Sequence, residues 1–165
     1  MQRRLVLAQC GLLTLGACGF QLRGAPDFAF NSLYINTGET SSLGNELKRT
    51  LASLGKVRVI SDPAQQAEAQ AVLDILSELR QKTVVGVNSS GQVREFQLRL
   101  RIHFKLGTPQ GKELIPDTEM LQQRDISFNE SAVLAKETEE GLMYRDMQSD
   151  IVQQLMRRLA AIKTL

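Results

Sequence analysis

Tryptophan is absent from this sequence of 165 residues, histidine occurs once, at His103, and cysteine occurs twice. One histidine and two cysteines cannot supply the His and Cys ligands of a structural zinc site. The sequence also lacks a glycine-rich phosphate loop and a dinucleotide-binding fingerprint. These absences remove the commonest hydrolytic and nucleotide-dependent chemistries, so we expect no enzyme and no cofactor. A carboxylate-only glycosidase is the one enzymatic alternative left.

The first seventeen residues have the three parts of a secretory signal. Arg3 and Arg4 supply positive charge, Leu5–Leu15 forms an apolar run, and the small pair Gly16–Ala17 ends the segment. The apolar run is shorter than the roughly 20 residues that a membrane-spanning helix needs. We therefore predict that residues 1–17 are a signal peptide that is removed.

The residue after the predicted cut is a cysteine. Residues Leu15–Cys18 match the lipobox of bacterial lipoproteins, in which the cysteine thiol receives a diacylglycerol and becomes the new N-terminus. A buried, unmodified thiol is the alternative, but the preceding small residues favour lipidation of Cys18. Gly19 stands where Asp is the usual inner-membrane retention signal. We expect a lipid-anchored protein of the cell outer membrane that faces the periplasm, with membrane contact through its N-terminal lipid.

Removal of the signal peptide would change the charge and the cysteine count. It would leave 148 residues, 18 basic and 18 acidic, and no cysteine besides Cys18, which excludes a disulfide framework. The charges are segregated: Leu79–Lys112 holds seven basic residues and one acid, and Glu113–Asp150 holds ten acids and three bases. This polarity predicts a basic surface for an anionic partner.

The first half of the chain predicts short elements and one ambiguous segment. Ser32–Asn36 and Val57–Ile60 are typical of strands, and Leu43–Gly55 has helical spacing with a glycine stop. Asp62–Val87 fits one long helix, or a helical turn near 63–69 followed by a long strand. We prefer the strand because of its β-branched end, Thr83–Val87. In it Leu73, Ile75, Ser77 and Leu79 alternate with Asp74, Glu78, Arg80 and Lys82.

The second half has the clearest pattern. Phe96–Leu106 alternates strictly between apolar and polar residues, which predicts a strand with one face in a core. The turn 88–91 precedes it, and a further strand is expected between Pro116 and Phe128. Helical spacing returns over Glu137–Ile162. We predict an α+β fold, a two-layer sandwich in which two helices pack on one face of a mostly antiparallel sheet of about four strands. Residues 31–165 would form this single domain, after a lipidated linker, 18–30.

The polar face of the long strand has two open interpretations. Arg99, Arg101 and Lys105 form a row that can meet phosphates or that can simply be a solvated face discouraging aggregation. His103, between them, is expected to be an ordinary solvent-facing residue. Nucleic acid is a poor ligand because interleaved aromatic residues are missing.

The segment Cys18–Gly24, CGFQLRG, resembles the start of mature lipoproteins of the LPS-assembly lipoprotein family LptE, which begin C-G-[FW]-x-L-[RK]-[GD]. The Leu43–Gly55 helix, the hairpin ending Ser90–Gln97 and Leu134–Glu137 are similar in order and character. The resemblance covers nearly the whole chain after the predicted cut.

The resemblance implies a two-helix, four-stranded domain that plugs the lumen of the outer-membrane β-barrel LptD, assists barrel assembly and binds lipopolysaccharide. In the family, lipopolysaccharide contact is associated with a Leu-Ala-Lys lysine, here Lys136, and with a base near the hairpin turn, for which Arg94 is the nearest replacement. We expect Lys136, Arg94, Arg99 and Arg101 to form one connected lipopolysaccharide-binding surface. The alternative is a scaffold for another envelope complex that does not bind lipopolysaccharide.

Overall fold

The computed structural model describes residues 26–165. The predicted signal peptide, Cys18 and most of the linker lie outside this range. Two α-helices, five strands and two 3-10 helices follow one another along the described chain. The strands are β1 (Ser32–Asn36), β2 (Arg58–Ile60), β3 (Ala71–Val87), β4 (Val93–Gly107) and β5 (Glu113–Ser127); the helices are α1 (Ser42–Leu54) and α2 (Val133–Ala161); the 3-10 helices are Pro63–Glu68 and Glu130–Ala132.

The five strands form one mixed sheet in the order β2-β1-β3-β4-β5. The three long strands β3, β4 and β5 are antiparallel neighbours joined by the turns 88–92 and 108–112. The short strand β1 pairs in parallel with both β2 and β3. A parallel pair needs a crossover connection, which α1 provides between β1 and β2.

The mixed α+β class is confirmed, and the count of about four strands is wrong by one. The short strand expected at Val57–Ile60 is present as the three-residue β2, which pairs with β1 at the sheet edge and brings the count to five. The helical turn near 63–69 followed by a long strand is confirmed. Strand β5 begins at Glu113, before the expected Pro116, because it pairs with the end of β4 immediately after the turn.

Local signals explain the first helix. Ser41 caps α1 by accepting a hydrogen bond from the Gly44 amide at 3.0 Å. Gly55 ends it with a left-handed φ of 63°, a conformation that costs glycine little. Between these caps, Leu43, Leu47 and Leu51 are fully buried.

The last helix begins four residues before the expected Glu137. Since α2 starts at Val133, the glutamates at 137, 139 and 140 lie beyond its first turn. No helix in residues 26–165 is long and apolar enough to cross a membrane.

Both α-helices and the sheet share one main core. Strand β4 presents Leu98, Leu100, Ile102, Phe104 and Leu106 to it, each at most 1% exposed. Phe30, assigned to the linker by sequence, is also 1% exposed in this core. A smaller cluster, of Tyr34, Ile60, Ala69 and Val72, lies apart from it.

An irregularity in β3 changes which of its residues face the core. Ile75 pairs with Phe104 and Ser77 with His103, so Leu76 is an extra residue in the ladder. Beyond Leu76 the alternation shifts: Leu79 pairs with Arg101 on the polar side, and Arg80 and Lys82 pair with buried leucines of β4. The simple alternation expected across Leu73–Lys82 is therefore wrong beyond this irregularity.

Two leucines of α2 give a matched test of the core. Leu155→Ala should lower the free energy of unfolding by about 2–5 kcal/mol because Leu155 is 1% exposed. Leu134→Ala, at a side chain 80% exposed, should change it by less than about 0.5 kcal/mol. Urea unfolding of both variants measures the difference, and equal losses would contradict this packing.

Two helical glycines should respond to alanine in opposite directions. A Cβ on Gly44 would lie 2.4 Å from Thr37 Cγ2, whereas one on Gly141 would meet nothing within 4 Å. Gly141→Ala should raise the free energy of unfolding by about 0.5–1 kcal/mol through helix propensity. Gly44→Ala should lower it, since Thr37 must move. Thermal unfolding tests the sign, and stabilisation by both variants would refute the close contact.

Candidate functional site

The side of β3, β4 and β5 that turns away from the helices is called the outer face here. Its side chains follow from the register, because directly paired residues lie on the same side of a sheet. Three rows of cross-strand neighbours form its centre, and every residue in them is polar except for two leucines. The rows are Ser77–His103–Glu119, Leu79–Arg101–Leu121 and Gln81–Arg99–Gln123.

Arg101 occupies the middle of the outer face. Its cross-strand neighbours Leu79 and Leu121 are 45% and 43% exposed, so they form an apolar rim around its stem. Its Nε is buried without a hydrogen bond and lies 3.6 Å from Glu119 Oε1. Arg101 is therefore engaged with an acid of β5.

The other cations of the row have partners too. Arg99 Nε donates to Gln97 Oε1 at 2.7 Å, and Lys105 Nζ lies 3.7 Å from Asp74 Oδ2. His103 places its ring nitrogens 3.1 Å from Asp117 and 3.3 Å from Glu119. The row is therefore not an unbalanced basic patch. Acids of β5 lie beside Arg101 and His103, Asp74 of β3 lies beside Lys105, and Arg99 meets the neutral Gln97.

Lys136 lies in the helical layer of the fold, near the start of α2. Its Nζ donates to Ser127 Oγ at 3.1 Å and to Glu139 Oε2 at 2.8 Å. Its side chain is 22% exposed. Lys136 lines a small pocket together with Phe96, whose ring is on the helix side of the sheet.

Arg94 lies where the β3–β4 ladder is irregular, between the Gly86–Glu95 and Val87–Val93 pairs. It is exposed, and its Nη2 donates to Gln92 Oε1 at 3.4 Å. The backbone oxygen of Arg94 accepts from the Phe128 amide, so Arg94 lies at the same end of the sheet as the start of α2.

The four predicted residues do not share one face. Arg99 and Arg101 lie on the outer face, whereas Lys136 packs on the helix side. The sheet itself separates them, since alternate residues of β4 point to opposite sides. The expected single connected surface is wrong. Lys136 and Arg94 belong to one end of the molecule, called the hairpin tip here, which comprises 82–96 and 127–140.

Sequence analysis missed the aromatic and charged cluster of the hairpin tip. Phe96 and Phe128 meet edge to face with ring centroids 5.2 Å apart. Lys82 Nζ lies 4.4 Å from the Phe96 centroid and 2.6 Å from Glu140 Oε2. The shift at Leu76 brings Lys82 to this side, and periodicity in the sequence gives no sign of that shift.

A buried polar group joins the two helices to β3. Gln148 is 6% exposed; its Oε1 accepts from Ser42 and Arg80, and its Nε2 donates to Glu46. Tyr144 donates to the Gln81 carbonyl at 2.7 Å, and burial, with the charge of Glu140, raises its pKa. Every member has a partner, so this group fixes how the helices sit on the sheet.

The described residues hold no group of three or more His, Cys, Asp or Glu side chains placed to bind a metal ion. Cys18 lies outside the described residues.

Solved structures share this fold. The solution structure of an uncharacterized lipoprotein B from Nitrosomonas europaea matches with a TM-score of 0.73 and 32% identity, covering 87% of this chain and 91% of that one. The crystal structure of the rare lipoprotein B from Shewanella oneidensis matches with a TM-score of 0.66 and 21% identity, covering 79% and 95%. The second likeness concerns the fold alone.

Sequence relatives point to one family. The LPS-assembly lipoproteins LptE of Pectobacterium atrosepticum and Yersinia enterocolitica are 27% and 25% identical to this chain, over 96% and 98% of its length and 84% and 78% of theirs. The family model for LptE, lipopolysaccharide-assembly, matches residues 30–159, which span β1 to the last turn of α2. The chain therefore belongs to the LptE family of lipopolysaccharide-assembly lipoproteins.

Proposed function

We propose that this protein is a lipid-anchored subunit of the outer membrane that plugs the barrel of LptD, assists its assembly and binds lipopolysaccharide for delivery to the outer leaflet. Family membership supports the role in lipopolysaccharide assembly. The barrel partner, the ligand and the anchor are the parts that we add.

The length and polarity of the outer face are the observations that best support the proposed plug. It lies on strands of about 15 residues, which extend roughly 50 Å at about 3.4 Å per residue. Arg101, His103 and Lys105 each have an acid partner on this face, and both α-helices pack on the opposite side. The interior of a membrane barrel is polar, and the bilayer hydrocarbon is about 30 Å thick. A long, polar and internally balanced face suits contact with such a lumen.

The hairpin tip is where we place lipopolysaccharide. Lys136 and Arg94 lie at this end, and Lys136 is only partly exposed beside the Phe96 ring, so an anionic lipid could meet charge and apolar surface together. The glutamates 139 and 140 would have to release their lysine partners. We assign Arg99 and Arg101 to barrel contact, because they belong to the outer face.

The N-terminal segment would supply the anchor. We propose that residues 1–17 are cleaved, that Cys18 is acylated, and that Gly19 directs the protein to the outer membrane. More than one acyl chain is needed for stable anchoring.

Charge reversal at the hairpin tip tests lipopolysaccharide binding. Lys136→Asp and Arg94→Asp should each weaken the affinity of the unlipidated mature chain for lipopolysaccharide by about fivefold or more, which corresponds to about 1 kcal/mol. Arg49→Asp, an exposed change on α1, is the matched control and should bind normally. Calorimetry or a filter assay measures this; unchanged affinity in both tip variants rules the site out.

Co-purification tests the barrel partner. Tagged protein extracted from membranes should carry LptD in a one-to-one complex, and Arg99→Glu with Arg101→Glu should reduce the yield at least tenfold by placing unbalanced acid on the outer face. Arg49→Glu should leave the yield unchanged. If no barrel accompanies the wild-type protein, the scaffold alternative replaces the plug.

A further inference from the structure

The end of the molecule opposite the hairpin tip carries a second, separate charged surface. We call it the basal end: the β4–β5 turn, Gly107–Lys112, and the last residues of α2 with those that follow, Arg158–Thr164. Lys112 of the turn lines one open cleft together with Arg158 and Ile162, so the two segments are neighbours.

The described chain enters the fold at this end. Asp27 is ion-paired with Lys56, and this hydrogen bond together with the charges of Lys56 and Lys163 lowers its pKa. Strand pairing gives the position: Leu33 at the start of β1 pairs with Ala71, and the next residue of β3, Val72, pairs with Gly107 at the β4–β5 turn. Whatever precedes Pro26 therefore leaves the domain beside the basal end.

The basal clefts combine cations with apolar surface. The cleft between the turn and α2 has a volume of about 540 Å³ and includes Leu114, Ile115 and Ile162 beside two cations, Lys112 and Arg158, and one acid, Glu113. A second cleft, of about 200 Å³, lies on the other side of Lys112 and includes Lys105 and Thr108. Lys112 thus borders both.

The basal cations are less neutralised than those of the hairpin tip. In the described part of the chain neither Lys112 nor Lys163 forms a salt bridge, and both are exposed. Arg158 lies 6.0 Å from the Phe104 ring centroid and has no acid partner within residues 26–165. At the tip, by contrast, Lys82 and Lys136 are paired with Glu140 and Glu139.

We propose that the basal end is a docking surface for the anionic phospholipid headgroups of the membrane that holds the protein. Lys112, Arg158 and Lys163 would meet headgroup phosphates, and Ile162 with Leu114 would lie at the level of the headgroups. Basic residues at an anionic bilayer each strengthen binding by about fivefold.

This proposal rests on the proposed lipid anchor for its geometry. Cys18 precedes Pro26 by eight residues, a length that spans at most about 27 Å. The acylated end therefore keeps the basal end within reach of the lipid surface. The hairpin tip lies roughly 50 Å from the basal end, at the other end of the long strands. Docking would restrict the orientations that the domain can adopt at the end of its short N-terminal segment.

Vesicle flotation tests the proposal with unlipidated protein. The mature chain with Cys18→Ser keeps every residue of the main core, since that core lies within the described residues. It should float with vesicles of phosphatidylethanolamine and phosphatidylglycerol, and much less with phosphatidylethanolamine and phosphatidylcholine. Raised salt should release it. Equal flotation with both vesicle types, or none with either, overturns the proposal.

Two double variants of equal charge locate the surface. Lys112→Glu with Lys163→Glu should weaken anionic-vesicle binding at least tenfold, whereas Arg94→Glu with Lys136→Glu should leave it within about twofold. All four residues lie outside the core, and circular dichroism verifies folding. Equal losses in the two variants would mean that net charge alone matters, and would overturn the proposal.

The same pair of variants separates this proposal from lipopolysaccharide binding. The basal variant should keep its lipopolysaccharide affinity and the tip variant should lose it. If the tip variant keeps its lipopolysaccharide affinity, the vesicle result is unaffected. If the basal variant keeps its vesicle binding, the lipopolysaccharide result is unaffected. Mass spectrometry of membrane-extracted protein tests acylation of Cys18 independently of both.

Discussion

The packing of a single face of β4 against two helices is the constraint on which the rest of the structure depends. Leu98, Leu100, Ile102, Phe104 and Leu106 are all nearly inaccessible to solvent, so every second residue of the strand must point the other way. Because both helices are used to cover that one side, the opposite side is left as a long polar surface. The surface that we assign to the partner is thus a direct consequence of how the core is built.

The outer face is less positively charged than the cations of β4 alone would make it. Antiparallel pairing places β5 directly beside β4, so Glu119 reaches both Arg101 and His103. Exposed ion pairs of this kind contribute little to stability, about 0–1 kcal/mol each. Their effect is on recognition: a balanced face does not attract anionic ligands strongly, and the less balanced cations lie at the basal end, away from the sheet centre.

Much of this fold follows from the sequence, because its signals are local. Strict alternation predicted β4, helical spacing with the Gly55 stop predicted α1, and β-branched residues distinguished β3 from a helix. The register shift at Leu76 could not be foreseen, since it depends on how β3 meets β4. That shift decides which side Arg80 and Lys82 occupy, and with them the hairpin tip.

The candidate site was predicted less well than the fold. The type of residue was recognisable at Lys136 and Arg94, but whether they share a face with Arg99 and Arg101 depends on which layer each element joins. The basal surface was missed because Lys112, Arg158 and Lys163 are far apart in sequence and meet only through the fold.

Protection of the outer face from chemical labelling tests the plug most directly. A cysteine at Gln123, an exposed residue of the outer face, would be labelled by maleimide in the Cys18→Ser mature chain and in its complex with LptD, with Gln110→Cys in the basal turn as control. We expect the complex to slow labelling at position 123 by at least tenfold and to leave position 110 unchanged. Equal rates at position 123 in the free and bound protein would contradict the plug.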